Sequence, residues 1–337
     1  DMFLRLACGG EYYAGKVDLS LEVADRIPKE LTLVYWDYYS LETDRYDEML
    51  SSHKLLTDNI AFAGGVWTWT GFCPNSFYSR RIAPAAWQSC SKNGIDTIII
   101  TAWGDDGTET SLFSALPGLQ QWAELSYGKG SNEDMLEKRF ATCVGASYSA
   151  FLELGRPVLT PHNPDPGRCG VSPVKYLLYQ DVLGGLFDAH VSEEYGKHFE
   201  VCAQKLSELK GAAGGYGYLF ELEEELCRLL ADKSVFGIRV RKAYAEEDGK
   251  KLRELAENCL PQMKESGERF LRKVEQRWQK ENKVFGLDVI QIRMGGLLQR
   301  MSFASKRLLA YCDGTIERLE ELEDAVLPFR KEEDMAP

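Results

Sequence analysis

The chain has 337 residues, with 40 Lys and Arg against 52 Asp and Glu for a net charge of −12. That length allows about two domains, and the acidic balance argues against nucleic acid or an anionic membrane surface as a partner. No apolar run approaches the roughly 20 residues of a membrane span, and nine scattered cysteines without a C-x-x-C pair fit the reduced thiols of a cytoplasmic protein.

The chain opens "DMFLRLACGGEYY", with Asp1 where an initiator methionine would stand, and is expected to be a piece of a longer protein. Residues 17–28 read as a helix. Leu31–Tyr35 then reads as a strand, followed by a helix over 42–57, a strand over Ile60–Trp67, a helix over 80–93 and a strand over Thr97–Thr101. Strand alternating with helix is the grammar of a parallel α/β unit. The continuous run Thr97-Ile98-Ile99-Ile100 suits a parallel strand covered on both faces. Three strands are too few for a closed sheet, so residues 1–130 are expected to be the C-terminal part of a larger (β/α)8 barrel.

Beyond "GKGSN" the strand signal disappears, and 131–337 reads as an α-helical domain. Helices are expected over 133–155, 173–188, 191–210, 217–232, 234–246, 248–281 with a break near Pro261, 284–311 and 313–326. The proline-rich stretch "GRPVLTPHNPDPGRCGVSP" interrupts them. Leu252, Leu255, Leu260 and Met263 mark one apolar stripe, and Leu297, Leu298, Met301, Leu308 and Leu309 another, as in a helical bundle. The fold expected is therefore α/β followed by all-α.

Three strand ends carry aromatics beside carboxylates: "VYWDYYS", "VWTWTG" and "TAWGDDG". Ligands of parallel α/β folds bind at this edge, and an aromatic ring beside a carboxylate suits a sugar, whose apolar face the ring covers. Strand alternation puts Trp36 with Tyr38, Tyr35 with Asp37, and Trp67 with Trp69. One such cluster is most simply core packing. Three in succession at one edge favour a lined pocket.

Other chemistries are poorly served. The four histidines lack ligand spacing, and no G-x-S-x-G or Walker sequence occurs. Asp105 and Asp106 have no third ligand, so no metal and no cofactor is expected.

As a set, "DMFLRLACGGEYY", "VYWDYY", "VWTWTGFCP", "TAWGDDGTETS" and "KYLLYQDVLGGLFD" resemble the family 20 glycoside hydrolases, in particular the intracellular β-N-acetylhexosaminidases with a helical C-terminal domain. The resemblance implies a TIM barrel binding a terminal N-acetylhexosamine (GlcNAc or GalNAc), whose own acetamido oxygen attacks the anomeric carbon. It also implies that the acid-supplying Asp-Glu pair of the fourth strand lies upstream of this chain. Trp36, Trp67, Trp69 and Trp103 are placed like the family's sugar-holding wall. Asp105 matches an acidic residue that holds ring hydroxyls, usually glutamate in Trp-x-Glu form, so its shorter side chain is a departure. The usual seventh-strand Tyr-x-Asp is missing from "VWTWTG". Tyr38 is therefore the first choice for the acetamido oxygen, with Tyr35 second, and Asp37 is a candidate for a sugar hydroxyl.

The function expected is that of a glycoside hydrolase acting as a cytoplasmic homodimer joined through the helical domain, with an N-acetylhexosamine-terminated glycan or glycoside as its partner. Three alternatives stand beside it: a glycosidase of another barrel family, a non-catalytic carbohydrate-binding fragment, and a helical interaction module over 133–337.

Overall fold

The computed structural model describes residue 25 and residues 27–105, 107–128, 130, 132–161 and 173–326. The expected helix over 17–28 falls almost entirely outside the described residues, as do most of the proline-rich stretch and Asp106. The chain divides into two compact units. One comprises Asp1–Trp67, Asn75–Trp103 and Ala115–Phe140, and the other Thr68–Pro74, Gly104–Ser114 and Ala141–Pro337.

In the first unit, β1 (Leu33–Trp36), α1 (Thr43–Lys54), β2 (Ile60–Gly65), α2 (Ser76–Lys92) and β3 (Thr97–Thr101) follow one another. The three strands form one parallel sheet in chain order, with Leu33 opposite Ile60 and Ala61 opposite Thr97. Parallel strands in chain order, joined by right-handed crossovers, carry their helices on one face. Leu33, Tyr35, Ile60 and Phe62, with Ile98 and Ile100 packed against them, form a core with Tyr46, Met49 and Leu50 of α1 and Ala83, Ala86 and Cys90 of α2. A further helix, α3 (Leu116–Tyr127), adds Trp122 and Leu125 to that core. The helices expected from the sequence do not include α3, although Pro117 in its first turn suits a helix start. The chain leaves the unit through α4 (Glu133–Val144).

The expectation for β3 needs correcting. Ile99 is 46 % exposed, because β3 is an edge strand and only one of its faces packs on helices. The central strand β2 is buried throughout. It also ends at Gly65, so strand alternation does not extend to Trp67 and Trp69.

The second unit is helical: α5 (Tyr148–Leu152), α6 (Pro173–Tyr179), α7 (Glu194–Leu209), α8 (Gly217–Ala245), α9 (Gly249–Glu254), α10 (Leu260–Glu281), α11 (Leu287–Cys312) and α12 (Glu320–Glu323). Its axis is α8, one continuous helix where the sequence suggests two. Phe220, Leu226, Leu229, Leu230, Val235 and Val240 are fully buried along it, against α6, α7 and α10. The helix expected over 133–155 breaks at Gly145, whose φ of +74° is open to glycine at little cost. The one expected over 173–188 ends at Tyr179, and that over 313–326 shrinks to α12.

Proline explains one local feature. A π-turn over Leu255–Cys259, closed by the Leu260 amide on the Leu255 carbonyl, precedes Pro261 at the start of α10. Proline has no N–H and its ring crowds the carbonyl four residues back, and the wider turn relieves both problems. Gly267 of α10 lets α11 come close, since a Cβ there would lie 2.7 Å from Leu298.

Among the described residues the cysteines Cys73, Cys90, Cys143, Cys202, Cys227, Cys259 and Cys312 are free thiols. No helix among those residues is long and apolar enough to cross a membrane.

Candidate functional site

In the first unit the aromatic residues gather at the carboxyl edge of the sheet. Trp36 ends β1 and Trp103 follows β3, strands two positions apart and so separated by about 10 Å. Their rings nonetheless meet, with centroids 5.5 Å apart. Ala63 stands opposite Trp36 on the intervening strand, and with Gly65 it leaves room for the indoles to lean inward. Trp36 is 37 % and Trp103 36 % exposed, so the pair presents an aromatic surface to solvent.

Trp67 packs against the segment that follows β1. It is 1 % exposed, donates its indole N–H to the Tyr38 carbonyl at 2.7 Å, and meets Tyr39 and Tyr78 edge-on at 5.2 and 5.0 Å. The Tyr78 hydroxyl donates to the Tyr39 carbonyl. Asn75 caps α2 by accepting from the Tyr78 amide at 3.2 Å, which fixes that tyrosine. The 38–39 backbone is thus gripped by two aromatic residues from the segment after β2.

Asp37 grips it from the other side. Its carboxylate accepts from the Tyr35 hydroxyl at 2.7 Å, the Tyr39 amide at 2.9 Å and the Ser40 amide at 3.3 Å. Burial raises the Asp37 carboxyl above its ordinary range, and those hydrogen bonds oppose the rise. Burial, and then the neighbouring carboxylate, push the Tyr35 phenol far up. Tyr35 itself is wholly buried against Tyr46, His53 and Phe62. The sequence pairs Tyr35 with Asp37, and the two do meet, each spending polar atoms on the other. Tyr38, half-buried, packs its ring on Tyr39 with centroids 5.0 Å apart.

Trp69 and Asp105 belong to the second unit, where Trp69 is half-buried and Asp105 exposed. The segment carrying Asp105 bends sharply. Gly107 and Thr108 have φ of +113° and +52°, and the Thr108 amide and hydroxyl both donate to the Gly104 carbonyl, at 3.0 and 3.1 Å. Glu109 anchors the bend. Its buried carboxylate accepts from the Tyr179 hydroxyl of α6 at 2.7 Å and from Arg293 of α11 at 3.1 Å, and pairs with Lys175 at 3.0 Å. Arg277 of α10 donates to the Glu109 carbonyl at 3.1 Å, and Glu281 of the same helix accepts from Ser111 at 2.7 Å. Burial, and next the Glu109 charge, raise the Tyr179 phenol far above its usual range.

The Glycoside Hydrolase 20C C-terminal domain matches residues 149–337, more than half of the chain. The chain belongs to the glycoside hydrolase 20C family. No curated protein matches it. Sequence reasoning passes over the most elaborate polar arrangement in this glycoside hydrolase 20C chain. Glu109 stands inside the quoted "TAWGDDGTETS", but its partners come from three helices up to 184 residues away, and nothing local announces them. Among the described residues of the 20C chain, no group of three or more His, Cys, Asp or Glu side chains is placed to hold a metal ion.

Proposed function

We propose that this chain contributes the sugar-holding wall and the helical domain of an exo-acting β-N-acetylhexosaminidase. The enzyme removes terminal β-linked N-acetylhexosamine by substrate-assisted retaining catalysis, with the Asp-Glu acid pair supplied upstream. The observation that carries the reading is the exposed Trp36–Trp103 pair at the carboxyl edge of a parallel sheet, in a chain of the 20C family. Strands in chain order with helices on one face support the (β/α)8 reading, in which the other face turns toward a barrel interior.

In this reading the two indoles cover the apolar face of the sugar and exclude water. That holds the acetamido oxygen against the anomeric carbon, a proximity effect of up to about 7–11 kcal/mol when alignment is good. The Tyr38 hydroxyl donates to the acetamido oxygen and stabilises charge moving through that group. Tyr35 and Asp37 act behind it by fixing the 37–40 backbone, and Trp67 backs the same segment. Trp69 and Asp105 keep the roles the family pattern gives them, a further aromatic contact and an acceptor for ring hydroxyls. The enzyme works as a homodimer through its helical domain, and its free thiols support a cytoplasmic setting.

The test compares a chromogenic N-acetyl-β-glucosaminide with the plain β-glucoside, using this chain and a version extended through the upstream Asp-Glu pair. The extended version is expected to hydrolyse the acetamido sugar alone, and the short chain neither. Equal turnover of both sugars would point to a different glycosidase class. Hydrolysis by the short chain would place the general acid within these residues.

A further inference from the structure

The bend that carries Asp105 is held more tightly than an exposed turn requires. Gly107 and Thr108 both take positive φ, and at Thr108, a β-branched residue, that conformation is strained. A Cβ at Gly104 would come within 2.6 Å of the Thr108 hydroxyl, so the bend closes on itself with no room to spare. Backbone strain persists only where the surroundings enforce it. Here the enforcing groups all belong to the second unit.

They form a relay that can be followed atom by atom to Asp105. The Gly104 carbonyl and the Asp105 amide share one planar peptide group, and the Thr108 amide and hydroxyl both donate to that carbonyl, at 3.0 and 3.1 Å. Arg277, itself 1 % exposed, donates to the Thr108 carbonyl at 3.4 Å and to the Glu109 carbonyl at 3.1 Å. The Glu109 side chain is fixed in turn by Lys175 and Tyr179, one turn apart on α6, and by Arg293 of α11. Ser111 ties the far end of the segment to Glu281, one turn beyond Arg277 on α10. Three helices thus hold the 104–111 backbone, whereas Asp105 stays exposed. A buried ionic set adds little net stability over apolar packing of the same volume, so stability alone is a weak reason for this one.

We propose that Glu109 is a positioning residue for Asp105: it fixes the 104–111 backbone from the helical unit and so sets where the Asp105 carboxylate meets the hydroxyls of the bound sugar. Aspartate has a single methylene between backbone and carboxylate, so the backbone largely decides where that carboxylate stands. The inference rests on the hydroxyl-acceptor role given to Asp105 above and adds the part that the helices play in it. An acceptor of ring hydroxyls holds the sugar alike in the ground state and the transition state, so its displacement is read in KM and not in kcat.

A double-mutant cycle in the extended version tests this. Glu109→Gln keeps the shape of the side chain and removes its charge. It is expected to raise KM for the chromogenic N-acetyl-β-glucosaminide about tenfold with kcat held within about twofold, and Asp105→Ala to raise KM by at least about as much. In the Asp105→Ala background Glu109→Gln should add nothing, because one residue acts through the other. Tyr179→Phe, which removes one donor to Glu109, is expected to raise KM about threefold and to vanish in the same background, and it carries the test where Glu109→Gln does not fold. Glu193→Gln, which breaks an exposed ion pair with Arg239 elsewhere in the unit, should leave both constants unchanged. A KM effect of Glu109→Gln or Tyr179→Phe that persists in full without Asp105, or a loss of active enzyme at unchanged KM, would overturn the positioning role and leave the hexosaminidase reading standing. An unchanged KM for Asp105→Ala would overturn it together with the role of Asp105. An extended wild type that does not hydrolyse the acetamido sugar would overturn the functional reading itself, and the inference with it.

Discussion

The Tyr179 hydroxyl sits 2.7 Å from the Glu109 carboxylate, joining α6 to a segment 70 residues earlier in the chain. Lys175 and Arg293 stand beside the same carboxylate, so removing it takes a counter-charge from both cations. Taking one member from a buried ionic cluster costs about 3–5 kcal/mol. Glu109→Ala should lose that much stability in urea unfolding, whereas Tyr179→Phe, which removes one donor, should lose about 1–3 kcal/mol. A Glu109→Ala midpoint equal to wild type would mean the cluster anchors nothing.

Tyr35→Phe tests the support behind the aromatic edge. It keeps the buried ring and deletes the hydroxyl that Asp37 accepts from, leaving a buried carboxylate oxygen short of a donor at a cost of about 1–3 kcal/mol. In the extended, active version the same change should slow turnover far less than Tyr38→Phe. A larger loss of turnover from Tyr35→Phe would exchange the roles given to these two tyrosines.

Tyr38→Phe itself should lower kcat about 100-fold or more with little change in KM, the pattern of a donor used chiefly in the transition state. Trp36→Ala should raise KM as well if the exposed indole holds the sugar as proposed. Steady-state kinetics on the acetamido substrate separates the two effects, and an unchanged kcat for Tyr38→Phe would remove Tyr38 from the chemistry.

His53 gives a pH dependence to stability. Its Nδ1 lies 2.7 Å from the Met49 carbonyl, and burial pushes its pKa down to about 4 from 6.5. Between those values the unfolded chain takes up a proton that the folded chain refuses, so stability falls as pH drops through 6.5 and the loss levels off near 4. The difference amounts to about 3 kcal/mol. Unfolding free energies of wild type and His53→Gln between pH 7.5 and 4 (the range implied by these pKa values) should show a steeper decline for wild type. Parallel curves would mean His53 does not carry the effect.

The parallel strands and most of the long helices were legible in the sequence because each is a local pattern. The apolar run before Trp36 and the row of leucines in α11 announce themselves within a few turns. The pairing of Tyr35 with Asp37 was legible too, since alternation needs only two residues. What escaped is non-local or covalently peculiar. The α3 helix, which carries Pro117-Gly118 in its first turn, was not among the expected elements. The grouping of Trp67 with Trp69 failed because the hydrophobic pattern continues past the point where the hydrogen-bonded ladder stops at Gly65. Glu109 escaped because a carboxylate shows no sign in sequence of the cations that will surround it.

The π-turn before Pro261 has a consequence far from the proline. It holds one residue more than an α-helical turn would, and each residue turns a helix by about 100°. Everything downstream is therefore clocked by that surplus residue. Phe270 and Val274 reach the interior, and Arg277 reaches the carbonyls of Thr108 and Glu109, only at the angle it sets. Shortening the turn by one residue would swing those side chains a quarter-turn or more around the axis, so that a deletion at Glu257, some twenty positions upstream of Arg277, would be read out as a loosened bend behind Asp105.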